Sequence, residues 1–89
     1  MEDLSPILQM LDQIINDRTV PRNIRKAVSD AKESIVSGEG PLDVRISNAI
    51  FILDEITNDP NIPLYTRTQI WNIVSLLEMK KRELFKDEK

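Results

Sequence analysis

Four aspartates come closer than any other side chains in this sequence to a catalytic or metal-binding arrangement. They form two pairs with the same internal spacing, Asp12 with Asp17 and Asp54 with Asp59. Paired carboxylates can bind a divalent metal or act as a general acid and base. The alternative is structural, because an Asp in a turn between helices accepts hydrogen bonds from nearby backbone N–H groups.

The surrounding sequence favours the structural role for these acids. Arg25 and Arg67 each follow a turn aspartate by eight residues, so Asp17–Arg25 and Asp59–Arg67 are candidate ion pairs. The chain contains no histidine and no cysteine, which excludes a thiolate nucleophile, an imidazole acid–base group and a Cys/His zinc site. We therefore expect no enzyme activity, no catalytic or metal-binding residues, no cofactor and no small-molecule substrate.

Basic residues near the start of the second predicted helix suggest an alternative function. Arg22, Arg25 and Lys26 could form a small phosphate-facing patch, as in an accessory nucleic-acid-binding protein. However, 12 Lys and Arg stand against 15 Asp and Glu, which gives a formal net charge of −3. No aromatic residue lies among these cations, as the stacking of single-stranded bases would require. Nucleic-acid binding is therefore the second hypothesis.

Proline and glycine divide the 89 residues into four segments with helical periodicity. Apolar residues recur at i, i+3, i+4 and i+7, and no segment shows the period-2 alternation of a strand. Ser5 is the predicted N-cap of the first helix, prolines open the other three, and Gly38 and Gly40 separate the second helix from the third. The prediction is an all-α protein with helices at about 5–17, 20–37, 41–58 and 62–86.

An internal repeat with a period of 42 residues is the strongest pattern in the chain. The shift places LDQIINDRTVPRNIR, which begins at Leu11, onto LDEITNDPNIPLYTR, which begins at Leu53, without a gap. The sequence therefore contains two copies of one helical hairpin, at about 4–37 and 46–79. Two hairpins with one apolar face each can close on one another, which predicts a four-helix up-and-down bundle in a single domain, 1–89.

The sequence LD-x-I-x-ND, at Leu11–Asp17 and again at Leu53–Asp59, carries a resemblance to a known family. With Val20-Pro21 and Ile62-Pro63 after it, the chain resembles a family of short archaeal proteins that have an all-helical fold and no assigned function. Each hairpin is also loosely similar to a HEAT-type helical repeat. The first resemblance implies a small cytoplasmic archaeal protein and supplies no catalytic residue.

Apolar residues outside the predicted core are the remaining candidates for function. At 100° per residue, Val44 and Phe51 fall opposite the core face of the third helix. Leu64 and Trp71 fall on one flank of the fourth helix, and Leu76 falls on the other. A wide helix face can bury such residues within one chain. Otherwise they form an exposed patch that is typical of protein–protein interfaces.

These observations predict a non-catalytic interaction or assembly module. Its partner would be another protein or a second copy of the chain, because a self-complementary patch suffices for a homodimer. We expect no membrane association, since the longest unbroken apolar run, Ala49 to Leu53, is far shorter than a membrane-spanning segment.

Overall fold

The computed structural model describes residues 4–87, with side chains described as far as residue 84. This range contains four helices: α1 (Ser5–Ile15), α2 (Arg22–Ser37), α3 (Leu42–Ile56) and α4 (Leu64–Asp87). No strand occurs among the described residues. The all-α prediction is confirmed, and each predicted helix end lies within two residues of the observed one.

Three of the helices begin directly after a proline, which is why they start one or two residues later than predicted. The carbonyl oxygens of Pro21, Pro41 and Pro63 accept a hydrogen bond from the backbone N–H four residues ahead, at 3.0 to 3.1 Å. Each proline thus closes the first helical turn from outside the helix. In α1 the N-cap is Leu4, and Ser5, which was expected to be the cap, is the first helical residue.

The helices pack in a closed ring. α1 contacts α2, α2 contacts α3, α3 contacts α4, and α4 returns to α1. The diagonal pairs α1–α3 and α2–α4 make no close backbone approach in the described part of the chain. An open solenoid of two HEAT-like hairpins would leave α1 and α4 apart. The closed ring is therefore the arrangement of a four-helix bundle, as predicted.

One cluster of buried apolar side chains fills the ring, and both repeats supply it from equivalent positions. Leu11 and Leu53, for example, are both fully buried. Further buried pairs are Leu4 with Ile46, Ile7 with Ala49, Val28 with Ile70, Ala31 with Ile73, and Ile35 with Leu77. Since the inner faces match so closely, the folding of the two repeats leaves their outer faces free to differ.

The junction between the repeats is tied together by polar contacts around Gly38 and Gly40. Gly40 has a φ of +94°, which a residue with a side chain rarely adopts. A Cβ on Gly38 would collide with the carbonyl oxygen of Ser34. Arg45 Nη1 donates to the Ile35 carbonyl oxygen at 2.9 Å, and Ser34 Oγ donates to the Arg45 carbonyl oxygen at 3.1 Å. These bonds connect the end of α2 to the start of α3.

Candidate functional site

The turn aspartates hold the connections within each hairpin. Asp17 Oδ1 accepts hydrogen bonds from the Thr19 N–H at 2.9 Å and from the Thr19 hydroxyl at 2.6 Å. Asp59 Oδ1 accepts from the Asn61 N–H at 2.8 Å. Asp59 Oδ2 also accepts from Asn23 Nδ2 at 2.8 Å, which connects this turn to α2. In both turns the carboxylate binds the N–H two residues ahead, which is the geometry of an Asx turn.

The hydrogen bonds from Thr19 lower the pKa of the Asp17 carboxyl below its ordinary value. The Thr19 hydroxyl has the largest effect and the Thr19 amide the next, because both bind the charged form in preference to the neutral one. Desolvation raises the pKa, and the charge of Arg25 lowers it. A carboxyl with a lowered pKa that is already bound in a turn is poorly suited to donate a proton at neutral pH.

The predicted ion pairs between the turn aspartates and the arginines do not form, and this part of the prediction was wrong. Among the residues that the structure describes, neither Asp17–Arg25 nor Asp59–Arg67 comes within 4.0 Å. Arg25 Nε donates instead to the Val20 carbonyl oxygen at 3.0 Å. Arg25 thus binds a backbone carbonyl of the first turn rather than the Asp17 carboxylate. In the second hairpin, Arg67 Nε is buried and has no hydrogen-bond partner among the described residues.

The other repeated acids, Asp12 and Asp54, are not gathered into a site either. Asp12 Oδ1 forms an ion pair with Lys32 Nζ at 2.7 Å, which joins α1 to α2. The 42-residue shift places Val74 at the position of Lys32, and a valine cannot form the same pair with Asp54. Within residues 4–84, no three acidic side chains lie close enough together to hold a metal ion.

The three cations of the suggested nucleic-acid patch differ in their surroundings. Lys26 Nζ lies 3.0 Å from both carboxylate oxygens of Asp30. Arg25 is half-buried and donates to Val20, as described above. Arg22 is exposed. Two of the three cations are thus bound by groups of the protein itself, and Asp30 brings a negative charge beside them.

Most of the apolar residues predicted to lie outside the core are on the surface. The exposed fractions are 74% for Leu64, 63% for Phe51, 54% for Trp71 and 44% for Val44. Leu76, by contrast, is partly buried and packs against the core. Tyr65 and Met79 are also exposed and enlarge the apolar surface of α4.

The outer face of α4 differs sharply from that of α2, its counterpart in the first repeat. Between Leu64 and Leu77, the exposed side chains of α4 are Leu64, Tyr65, Thr68, Trp71, Asn72 and Ser75, and none is charged. The 42-residue shift places them on Arg22, Asn23, Lys26, Ser29, Asp30 and Glu33 of α2. Four charged positions of α2 are therefore uncharged in α4, and two other positions carry aromatic rings.

Four of these residues, which we call the outer stripe, follow one line along α4: Leu64, Thr68, Trp71 and Ser75. Their spacings of four, three and four residues keep them within about 60° of one another around the helix. The buried residues Thr66, Ile70, Ile73 and Leu77 lie on the opposite side. The alternation of three and four residues is the spacing along which one helix packs against another.

Part of this surface was predictable from the sequence, because the angular positions of Leu64 and Trp71 place both residues outside the core face of α4. The absence of charge around them was not predicted. The repeat itself contains this difference in charge, because aligning the two hairpins places the charged residues of α2 on uncharged residues of α4.

These features define a four-helix bundle built from a duplicated hairpin, with an uncharged, aromatic surface on its last helix. Over the described residues, none of the helices combines the length and the apolar composition that a membrane-spanning segment requires. The chain belongs to UPF0147, an uncharacterised protein family, whose sequence model matches residues 1–79. The family resemblance predicted from the repeated LD-x-I-x-ND sequence is thereby confirmed.

Relatives with sequence or structural similarity agree with this assignment. The chain is 62% identical over 81 residues to a UPF0147 protein of Methanocaldococcus jannaschii, covering 90% of this chain and 86% of that protein. It is 51% identical over 72 residues to a UPF0147 protein of Sulfurisphaera tokodaii, covering 81% of each.

Two crystal structures have the same all-helical fold. A UPF0147 protein from Thermoplasma acidophilum aligns with a TM-score of 0.80 and 37% identity, over 85% of this chain and 89% of that one. A protein of unknown function aligns with a TM-score of 0.78 and 50% identity, over 88% of this chain and 96% of that one.

Proposed function

We propose that this protein is a non-catalytic, single-domain module that binds another protein chain through the outer face of α4. Phe51 and Val44 on α3 are further exposed apolar residues that a partner could contact. One observation carries the proposal: the exposed positions of α4 are uncharged and aromatic where the equivalent positions of α2 are charged.

The requirements of folding do not explain this difference. α2 and α4 occupy equivalent places in their hairpins and bury equivalent residues, such as Val28 and Ile70. α2 performs that structural role with Arg22, Lys26, Asp30 and Glu33 on its outer side. The uncharged outer face of α4 is therefore not needed to form the bundle, and a contact outside the bundle is the reason that we propose for it.

The composition of the face supports a protein partner. Interface cores are depleted of charged residues and enriched in Trp and Tyr, because a charge at the centre must be desolvated and then paired. Trp71 is half-exposed and lies within the outer stripe, while Tyr65 stands beside it. Trp and Tyr are also over-represented among the residues whose truncation weakens binding most. Leu76 contributes less, since it already packs on the core.

Comparative capture from cells of the native organism tests the proposal. Tagged wild-type protein is compared with Trp71→Ser, which installs the residue type found at the equivalent position Ser29. The control combines Lys26→Thr and Asp30→Asn on α2, which leaves the net charge unchanged. Untagged copies of this chain are added to the extract, so that self-association is also detected. We expect the wild type and the control to retain the same protein chains, and we expect Trp71→Ser to lose them.

Circular dichroism of each variant establishes that the bundle is folded. The proposal is wrong if the folded Trp71→Ser protein retains the same chains as the wild type. It is also wrong if the wild-type protein retains no other chain.

A further inference from the structure

The outer stripe of α4 alternates large and small side chains. Leu64 and Trp71 are large, and Thr68 and Ser75 are small. Alternation of this kind creates protrusions and hollows along a helix, and a neighbouring helix packs well when its own protrusions meet those hollows.

A second copy of α4 in the antiparallel orientation meets that requirement. In one register, Leu64 lies opposite Ser75 of the second copy, and Trp71 lies opposite its Thr68. The numbers of two facing positions then always add up to 139. Every large side chain then faces a small one, and two-fold symmetry repeats each contact. A parallel pair in register would instead place Trp71 against Trp71 and Thr68 against Thr68, which leaves both a clash and a void.

We propose that two copies of this chain pair through antiparallel α4 helices around a two-fold axis at the level of Gln69 and Ile70. Trp71 of each copy packs on Thr68 of the other. This inference rests on the proposed function, because it identifies a second copy as the partner of that same surface. The contact is isologous, so it closes on itself as a dimer.

The charge distribution of the chain is consistent with self-association at this place. The formal net charge is −3, so two copies repel each other weakly at long range. The outer stripe and its neighbours Tyr65 and Asn72 carry no charge over more than three helical turns. Two copies can therefore bring their outer stripes together without opposing charges within them, although the exposed Glu78 and the half-buried Arg67 lie beside the stripe.

The exposed apolar area suits a weak, reversible contact that is smaller than a standard interface. If a side chain of this kind presents about 200 Å² when fully exposed, the exposed parts of Leu64, Tyr65 and Trp71 add up to about 400 Å². That is roughly half of the ~800 Å² that each partner buries in a standard interface. Thr68, Asn72 and Ser75 can supply more. We expect a dimer that dissociates at micromolar concentrations.

Sedimentation equilibrium of the purified chain tests the pairing through an exchange of the two facing residues. Trp71→Thr leaves a small residue against a small one, and Thr68→Trp sets a large one against a large one. The double variant with both substitutions restores large against small. We expect dimerisation of the wild type, dissociation constants raised about tenfold or more in each single variant, and a value near that of the wild type in the double variant.

Introduced cysteines test the orientation, since the chain has no cysteine of its own. Leu64→Cys and Ser75→Cys proteins are oxidised separately and as a mixture. In the proposed dimer, position 64 faces position 75, whereas the two copies of position 64 are about 16 Å apart along the helix, too far for a disulfide. We expect the mixed disulfide in the mixture and little cross-linking in either protein alone.

Three results would overturn the inference. These are a wild-type chain that stays monomeric up to about 1 mM, a double variant that associates no better than the single variants, or efficient cross-linking of Leu64→Cys with itself. If the wild-type chain is monomeric but captures other proteins that the Trp71→Ser variant does not capture, the inferred dimer is wrong and the proposed function stands. A dimer that no change on α4 weakens would also count against the proposed function.

Discussion

Replacing the outer face of α4 with the residue types of α2 should leave the bundle folded and remove its ability to associate. The variant combines Leu64→Arg, Thr68→Lys, Trp71→Ser, Asn72→Asp and Ser75→Glu, each of which installs the residue found 42 positions earlier. Two added cations and two added anions leave the formal net charge at −3. The lysine and aspartate introduced four residues apart reproduce the spacing of the ion pair in α2, whose charged atoms lie 3.0 Å apart.

The expected change in the free energy of unfolding is small. Trp71 is 54% exposed, so truncation removes about 115 Å² of buried area, worth at most about 3 kcal/mol. The new ion pair and the better helix propensities of lysine and glutamate each return about 0.3 to 0.5 kcal/mol. We expect a net loss of about 1 to 2 kcal/mol, which is tolerable against the typical ~5 to 15 kcal/mol of a folded domain.

Urea denaturation followed by circular dichroism measures the stability of this variant, and sedimentation measures its association. We expect a cooperative transition and a monomer at concentrations where the wild type associates. An unfolded variant would show that the outer face of α4 is needed for the fold, which contradicts its comparison with α2. A folded variant that associates as strongly as the wild type would show that the contact surface lies elsewhere.

Three further predictions concern the junction and a turn. Arg45→Met removes the charged hydrogen bond to the Ile35 carbonyl and should cost about 2 kcal/mol in urea denaturation; a loss below about 0.5 kcal/mol would contradict this. Gly40→Ala should cost about 1 kcal/mol or more in the same assay, because the φ of +94° strains any side chain; unchanged stability would contradict it. Thr19→Val should raise the pKa of Asp17 toward its ordinary value in an NMR titration, and an unchanged pKa would show that the Thr19 hydroxyl does not matter.

The direction of the pH dependence follows from the lowered pKa of Asp17. A carboxyl whose pKa is lower in the folded state than in the unfolded state stabilises the fold above its ordinary pKa. That contribution is lost as the pH falls through the folded pKa. Thr19→Val brings the two pKa values closer together, so its free energy of unfolding should fall less steeply with acid than that of the wild type.

Hydrophobic periodicity was sufficient to predict the helices and their buried faces. Equivalent core residues such as Leu11 and Leu53 follow the helical period in both repeats, and burial of those faces determines how the hairpins pack. The predicted starts of α2 and α4 differed because an N-cap residue lies outside the helix that it starts, and Pro21 and Pro63 occupy that kind of position.

The details of polar contacts were not predictable from spacing. Eight residues separate Asp17 from Arg25, and that spacing does not reveal that Thr19 occupies the carboxylate or that Val20 offers a nearer acceptor to the arginine. The hydrogen bond from Arg45 to the Ile35 carbonyl was also not predicted, because it depends on how the end of α2 meets the start of α3. Such contacts are determined by the relative placement of helices, which a one-dimensional pattern does not contain.

The central claim is that the outer face of α4 becomes covered when a second copy of this chain binds, and Trp71 reports on that face directly. Trp71 is the single tryptophan of the chain, so its fluorescence and its quenching by acrylamide can be followed without modification. As the concentration rises from about 1 µM to about 1 mM, we predict a shift of the emission to shorter wavelengths and a decrease in quenching. An emission spectrum and a quenching constant that stay those of a half-exposed indole throughout this range would contradict the account.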